Sequence, residues 1–322
     1  MDNSRSPGVA GGPKLVVVAG PTAVGKSDLS LGLARALDAE IVNADSMQLY
    51  KGMDIGTAKL PESEREGIEH HLLDIWSIAD EANVSEYQRL ARAQIKAIHA
   101  RDKSALLVGG SGLYINAVID NLDFPGTDPE LREQLYAELE SVGPEPLYDR
   151  LKERDPKAAE SMEPNNARRI IRALEVIQIT GQPYTAKLPR ADRHFDCTVI
   201  GLRRDRGDLD GRIERRIDQM WRDGLLDEIA ELREQGLDAA PTASKALGYA
   251  QGAAQLRGEL AEEAAKIETA TATRRFARRQ LSWFNRDPKM TWLDVSDESG
   301  ERTVGELLEL ALGVVDQREQ TP

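Results

Sequence analysis

At 322 residues and 35.5 kDa, the chain can form one large core, or a core with a smaller appended domain. With 40% hydrophobic and 30% charged residues it reads as a globular protein, and no stretch approaches the ~20 apolar residues of a membrane span. The formal net charge of -13 argues against a general nucleic-acid coat protein, but arginines concentrate in 164–216 and 274–286 while 294–322 is mostly acidic, which leaves room for a local basic surface.

Met1 to Gly12 is polar and rich in Gly and Pro, with no apolar centre, so a disordered tail is expected rather than a signal peptide. Lys14–Ala19 is a short β-branched apolar run of the kind that forms a buried parallel strand. A helical pattern follows at Asp28–Leu37 and a second strand at Ile41–Val42. Another helix is expected around Val84–Ala100, then strands at Ala105–Val108, Thr198–Leu202 and Thr291–Val295. Strands alternating with helices imply an α/β fold, a parallel sheet covered by helices. The stretch 123–195 breaks this rhythm with Pro125, Pro129, Pro144, Pro146, Pro156 and Pro164, and its helical segments have no strand between them. It reads as a helical insertion domain, with the core in 13–122 and 196–322. Asp208–Gln235 and Glu259–Trp283 are long helical patterns carrying both signs of charge, usually the mark of a solvated face. The lone cysteine, Cys197, reads as a small buried strand residue, and it suits a reducing cytoplasm.

Chemistry first shows itself at Gly20-Pro21-Thr22-Ala23-Val24-Gly25-Lys26-Ser27, which matches G-x-x-x-x-G-K-[ST] between a strand and a helix. Such a loop turns backbone N–H groups toward one point, and the helix that starts there adds its partial positive charge. Lys26 brings a full charge and Ser27 a hydroxyl able to hold magnesium. The loop predicts a phosphate or diphosphate ligand without naming the compound. Asp45 follows the second strand, where ligands of open parallel sheets gather. Position alone leaves three roles open to it: magnesium ligand, general base, or helix cap. Gly109-Gly110-Ser111-Gly112 after the third strand is a weaker signal, since a packing turn would look the same.

Seven segments occur in order: GPTAVGKS (20–27), NADSMQLYKGMDIGTAK (43–59), HHLLD (70–74), GGSGLYINAV (109–118), NNARRIIRALEV (165–176), SKALGYAQ (244–251) and RRQLSWF (278–284). Together they resemble the tRNA dimethylallyltransferases, also called tRNA isopentenyltransferases, from about residue 14 to 286. The resemblance implies a P-loop core with a helical insertion. It also implies alkylation of N6 of the adenosine 3′ to the anticodon, with dimethylallyl diphosphate as donor and Mg2+ as cofactor. The loop Gly20–Ser27 then holds the donor's diphosphate, Thr22 contacts the donor, and Asp45 is the base. A family arginine falls on Arg216, with Arg212 as the alternative; the plain reading of Arg216 is an ion pair with Glu214 or Asp218. Asp45, Ser46, Met47 and Gln48 match the base-contacting stretch. Ser111, Arg168, Arg169, Arg172, Lys245, Gly248, Tyr249, Arg278, Arg279, Gln280 and Trp283 fall in RNA-contacting segments. The expected partners are the tRNA anticodon stem-loop and the donor, for a cytoplasmic monomer.

The sequence departs from the family at Asn165-Asn166, where Asn-Asp is frequent, and at Ser111, where Thr is frequent. The first puts a helix cap or an RNA contact in question, while the second keeps the hydroxyl. No role suggests itself for His70 and His71, and 287–322 reads as a strand plus a peripheral acidic helix. Competing readings are a small-molecule kinase with the same loop, a prenyltransferase acting on free AMP or ADP, and a non-catalytic RNA-binding module.

Overall fold

The computed structural model describes residues 13–122, 124–184, 193–297 and 300–319, so the expected tail at 1–12 lies outside the described residues. The chain divides into two compact units, residues 1–119 with 195–322, and Asp120–His194.

In the first unit the strands are β1 (Leu15–Ala19), β2 (Ala39–Asn43), β3 (His70–His71) and β4 (Ser104–Gly109), with α1 (Lys26–Ala36), α2 (Val84–His99) and α3 (Gly112–Ile119) between and after them. All of β1 and β2 is buried, as in a sheet covered on both faces; β1 is an uninterrupted apolar run, whereas β2 buries Glu40 and Asn43 along with its apolar residues. Burying each such Val or Leu is worth about 1.5–3 kcal/mol. Asn83 caps α2 by accepting from the amides of Ser85 and Glu86. The short edge strand β3 pairs Ile41 with His70 and Val42 with His71, which gives the two histidines a place the sequence did not suggest. His71 Nε2 lies 2.7 Å from the buried Glu40 carboxylate, and Arg101 reaches that same carboxylate.

The second unit is helical: α4 (Pro129–Val142), α5 (Pro144–Arg154), α6 (Pro156–Glu160) and α7 (Ala167–Thr180). Prolines that break helices elsewhere start α4, α5 and α6, because a first-turn residue has no internal N–H bond to lose. The side chain of Asn166 caps α7, accepting from the Arg169 amide, so the amide at this position serves the helix cap that the sequence left in question. A separate apolar core forms from Leu131, Leu135, Leu147, Leu151, Ile170 and Leu174.

The first unit resumes with β5 (Thr198–Arg203), α8 (Arg206–Arg222), α9 (Leu225–Glu234), α10 (Tyr249–Leu256), α11 (Glu262–Phe284), β6 (Met290–Asp294), the hairpin β7 (Ser296–Asp297) and β8 (Gly300–Glu301), and α12 (Val304–Glu319). The six-stranded sheet runs β3-β2-β4-β1-β5-β6, every pair parallel, with Val17 opposite both Leu107 and Val199. Three expectations are corrected here. The single helix foreseen over 208–235 is two, parted where Gly224 takes a left-handed conformation at φ 97°. The C-terminal helix is not peripheral: Leu307, Ala311 and Val315 of α12 join the core, and Leu308 packs on α1 at Gly32. Cys197 is buried, but it sits one residue before β5 rather than within it. Among the described residues, no helix is long and apolar enough to cross a membrane.

Candidate active site

The carboxyl ends of β1, β2 and β4 deliver the loops that build the site. After β1 the chain turns through Gly20–Gly25 into α1, and the first residues of that helix, Lys26 to Asp28, line a polar cavity of about 480 Å³. Ala23 is held at φ 63°, a conformation an alanine adopts only where its surroundings force it. The Ala23 carbonyl accepts from Arg212 Nε at 3.0 Å. Lys26 folds back so that Nζ donates to the carbonyls of Gly20 (3.1 Å) and Pro21 (2.8 Å). Burial lowers its ammonium to about pKa 8, and Arg216 pushes the same way, against the opposing pull of Asp45. The exposed Ser27 hydroxyl lines this cavity, and among the described residues no three His, Cys, Asp or Glu side chains group into a metal cage. A hydroxyl beside the loop is the kind of donor magnesium takes, since that ion keeps its waters and binds through few protein groups plus substrate phosphates.

Asp45 is fixed by its neighbours. Its amide donates to Asn43 Oδ1 (2.9 Å), while Asn43 Nδ2 donates to the carbonyls of Asp45 and Leu72, each at 3.1 Å. Tyr87 donates to the Asn43 carbonyl at 2.8 Å. The Met47 amide donates to Asp45 Oδ1 at 3.0 Å, and among the described residues no other donor reaches the carboxylate. This is an Asx-turn bond within a loop, and no helix begins at Asp45, so the helix-cap role considered for it is not borne out. Ser111 Oγ accepts from the Ser46 amide at 3.1 Å and lies 3.2 Å from Ser46 Oγ. The tight approach of the β4 turn depends on Gly109, where a Cβ would fall 2.1 Å from the Ala44 carbonyl oxygen.

A second cavity, about 320 Å³, adjoins the first and shares Thr22, Ala23, Asp45, Thr57 and Arg216 with it. Its remaining wall is largely apolar: Met47, Ile213, Ile217, Met220, Leu247 and Phe276, with Lys245 and Arg279 among its polar residues. Asp45 and Arg216 therefore stand where a charged compartment meets an oily one. Burial disfavours the Arg216 charge, Asp45 restores part of it, and Arg212 opposes it. Arg216 is thus drawn into the site instead of pairing with Glu214 or Asp218 as on an ordinary solvated helix. The solvated-face reading of this segment fails for the α8 side that carries Ile213, Ile217 and Met220. Their spacing of four and three residues marks an apolar stripe that the interleaved arginines masked. Thr57, Arg215 and, Met47 apart, the apolar wall were not singled out from sequence.

The other expected residues fall into separate groups. Gln48 lines the polar cavity and donates to the Thr57 carbonyl at 3.1 Å. Gln280 is buried: it accepts from the Thr22 amide (3.0 Å) and donates to the Gly110 carbonyl (2.9 Å), so its amide bridges two site loops rather than facing a ligand. Tyr249 is likewise buried and donates to Glu228 Oε1 at 2.5 Å, while its ring borders the second cavity. Gly248 precedes α10 and donates to Gln251 Oε1. Trp283 is part exposed, with Nε1 donating to Asn116, and Arg278 is exposed on α11. In the second unit Arg168 and Arg169 are exposed on α7. Arg172 differs, since it donates to Glu175 and to the carbonyls of Pro125 and Gly126. Burial pushes the Glu175 carboxyl up, but hydrogen bonds from Arg172, the Asp128 amide and Arg132 outweigh it and hold the group below its ordinary value.

Comparison with known proteins follows this geometry. The family model described as IPP transferase matches residues 48–287. A tRNA dimethylallyltransferase of Streptomyces avermitilis is 55% identical over 95% of this chain and 96% of its own, and one of Thermobifida fusca is 57% identical over 87% and 89%. Among solved structures, the tRNA isopentenylpyrophosphate transferase of Bacillus halodurans is 40% identical with a TM-score of 0.68, covering 95% of this chain and 98% of that one. A eukaryotic dimethylallyltransferase captured acting on tRNA is 29% identical with a TM-score of 0.82, covering 96% and 80%. With more than half of its length matched by the family model, and relatives above half identity along nearly all of it, the chain belongs to the tRNA dimethylallyltransferase family.

Proposed function

We propose that the protein transfers a dimethylallyl group from dimethylallyl diphosphate to N6 of the adenosine 3′ to the anticodon of tRNA, releasing diphosphate. The observation that carries this is the pair of adjoining cavities with Asp45 and Arg216 at their shared wall. A small-molecule kinase would need a nucleoside pocket and an arginine-bearing lid beside the charged compartment. Alkyl transfer needs a place for an anionic leaving group beside a place for an apolar chain and a base.

The chemistry follows from the residues. Diphosphate lies against the Gly20–Ser27 amides, and the prenyl chain points into the apolar compartment. The adenine amine is a weak nucleophile because its lone pair is delocalised into the ring. Asp45 takes a proton from N6 as the N6–carbon bond forms and the carbon–oxygen bond to diphosphate breaks. Negative charge growing on the leaving group meets Lys26, the loop amides and Arg216, which are already in place. When bound at Ser27, Mg2+ supplies further positive charge against the phosphate oxygens. The base must leave its stack to reach Asp45, and Met47 and Phe276 offer apolar surfaces for it. We assign RNA-phosphate contacts to Lys245 and Arg279, and further tRNA contacts to Arg168, Arg169, Arg278 and Trp283. We assign the protein to the cytoplasm as a monomer. The relatives reported above are named tRNA dimethylallyltransferases, which favours this reading over the kinase drawn from the loop alone.

The test is incubation of purified protein with dimethylallyl diphosphate and unmodified tRNA, followed by nucleoside mass spectrometry. Prenylated adenosine next to the anticodon supports the assignment, whereas ATP-dependent phosphotransfer without tRNA, or prenylation of free AMP alone, overturns it.

A further inference from the structure

We propose that Glu228, on α9 and outside every motif that carries the family resemblance, is a positioning residue for the transfer step. The inference rests on the transfer reading given above. The Glu228 carboxylate accepts from three successive backbone amides, those of Asp54 (3.1 Å), Ile55 (2.7 Å) and Gly56 (3.3 Å). Consecutive amides turned toward one point form an anion cradle, and here the anion is the protein's own side chain. A fourth donor is the Tyr249 phenol at 2.5 Å, whose ring borders the apolar cavity.

The segment held in this way leads into the site. Thr57 follows Gly56 and lines both cavities. Its carbonyl accepts from Gln48 Nε2 at 3.1 Å and from Arg216 Nη2 at 3.4 Å. The far end of the segment is pinned by buried Lys59, which donates to Asp54 Oδ1, Asp74 Oδ1 and the Tyr50 carbonyl. Gly56 lies so close to Tyr249 that a Cβ would fall 2.4 Å from the ring. The turn, the phenol and the carboxylate therefore share one fixed arrangement. Glu228 touches no expected reacting atom. It sets where the Thr57 carbonyl sits, and so where Arg216 and Gln48 are aimed. Small displacements of such groups are costly for catalysis, because the reacting geometry tolerates little error.

The test uses the full chain with dimethylallyl diphosphate and unmodified tRNA. Glu228→Gln keeps the shape but turns an NH2 group toward amide donors. Its kcat should fall ~10- to 100-fold, the range for a misplacement of about 1 Å, with KM for tRNA little changed. The same substitution in an Arg216→Gln background should cost far less, since the residue it aims is already gone. A purely structural role would give the same loss in both backgrounds. Glu228→Asp, which retains the charge with a shorter reach, should keep more kcat than Glu228→Gln and serves as the probe if the amide variant folds poorly. Unchanged kcat in Glu228→Gln, or losses that multiply in full with Arg216→Gln, overturns the inference. Wild-type protein that fails to prenylate tRNA instead sinks the transfer reading itself, whatever Glu228 does.

Discussion

Helices α7 and α8 each carry three arginines within five residues, Arg168-Arg169-Arg172 in one and Arg212-Arg215-Arg216 in the other. Their fates differ because of what the fold places opposite them. On α8, Arg212, Arg215 and Arg216 line the cavity beyond the carboxyl ends of the parallel strands, where Asp45 and the Gly20–Ser27 loop already lie. On α7, Arg172 is committed to the buried Glu175, and only Arg168 and Arg169 remain at the surface. An arginine triplet in sequence is thus three cations without an assignment. A buried carboxylate makes one of them structural, and a concave cavity gathers others around Asp45.

Substitutions can break or sharpen this contrast. The largest loss belongs to the shared cavity wall: Asp45→Ala should lower turnover by ~10²-fold or more, the span of a lost general base, while tRNA affinity changes little. Full turnover in that variant removes the base role. Arg216→Gln should lower kcat by roughly 10²-fold, as for one lost donor to developing negative charge, whereas Arg169→Ala should leave kcat at saturating tRNA near wild type. Equal effects of the two on kcat would erase the distinction between the helices.

Arg172→Ala should act on stability instead, lowering it by about 3 kcal/mol because a buried carboxylate loses one of its partners; thermal melting would show this, and an unchanged midpoint would return Arg172 to the pool of surface cations. For Lys26 the expected effect is one of pH. Its free-enzyme pKa is lowered to about 8, so the ammonium is present below that pH and is lost as pH rises through it. Donor kcat/KM should accordingly fall above about pH 8, with kcat falling less because bound diphosphate favours the charged form. A profile flat into the alkaline range would place Lys26 away from the donor. The smallest effect is expected at Arg168→Ala, where the slope of log affinity against log salt should flatten by about 1, the value for one lost phosphate contact.

Much of the site was legible because local chemistry demands it. The Gly20–Ser27 spacing foretold a tight strand-to-helix turn, which the structure has, and Asp45 after β2 had to lie near it in a parallel sheet. Gln280 and Tyr249 show where that reading stops. Both fall within motifs that suggest RNA contact, yet both are buried, with their polar atoms bonded to loops far away in sequence. Glu228 gave no signal at all, since a glutamate on a charged helix looks like any solvated residue until three amides are brought to it.

The sequence by itself determined the parallel α/β core, the tight strand-to-helix loop at Gly20–Ser27 and the acidic residue beside it, because each rests on periodicity or on short-range spacing that survives without long-range contacts, and its motifs carried the family resemblance. The tertiary structure alone decided that Arg216 turns into the site while Arg172 does not, that the α8 stripe is a cavity wall, and that α12 belongs to the core. Those outcomes depend on which groups distant segments bring within a few ångströms. Desolvation makes that decisive: a buried charge must find a partner, and the partner is chosen by the fold rather than by neighbours along the chain.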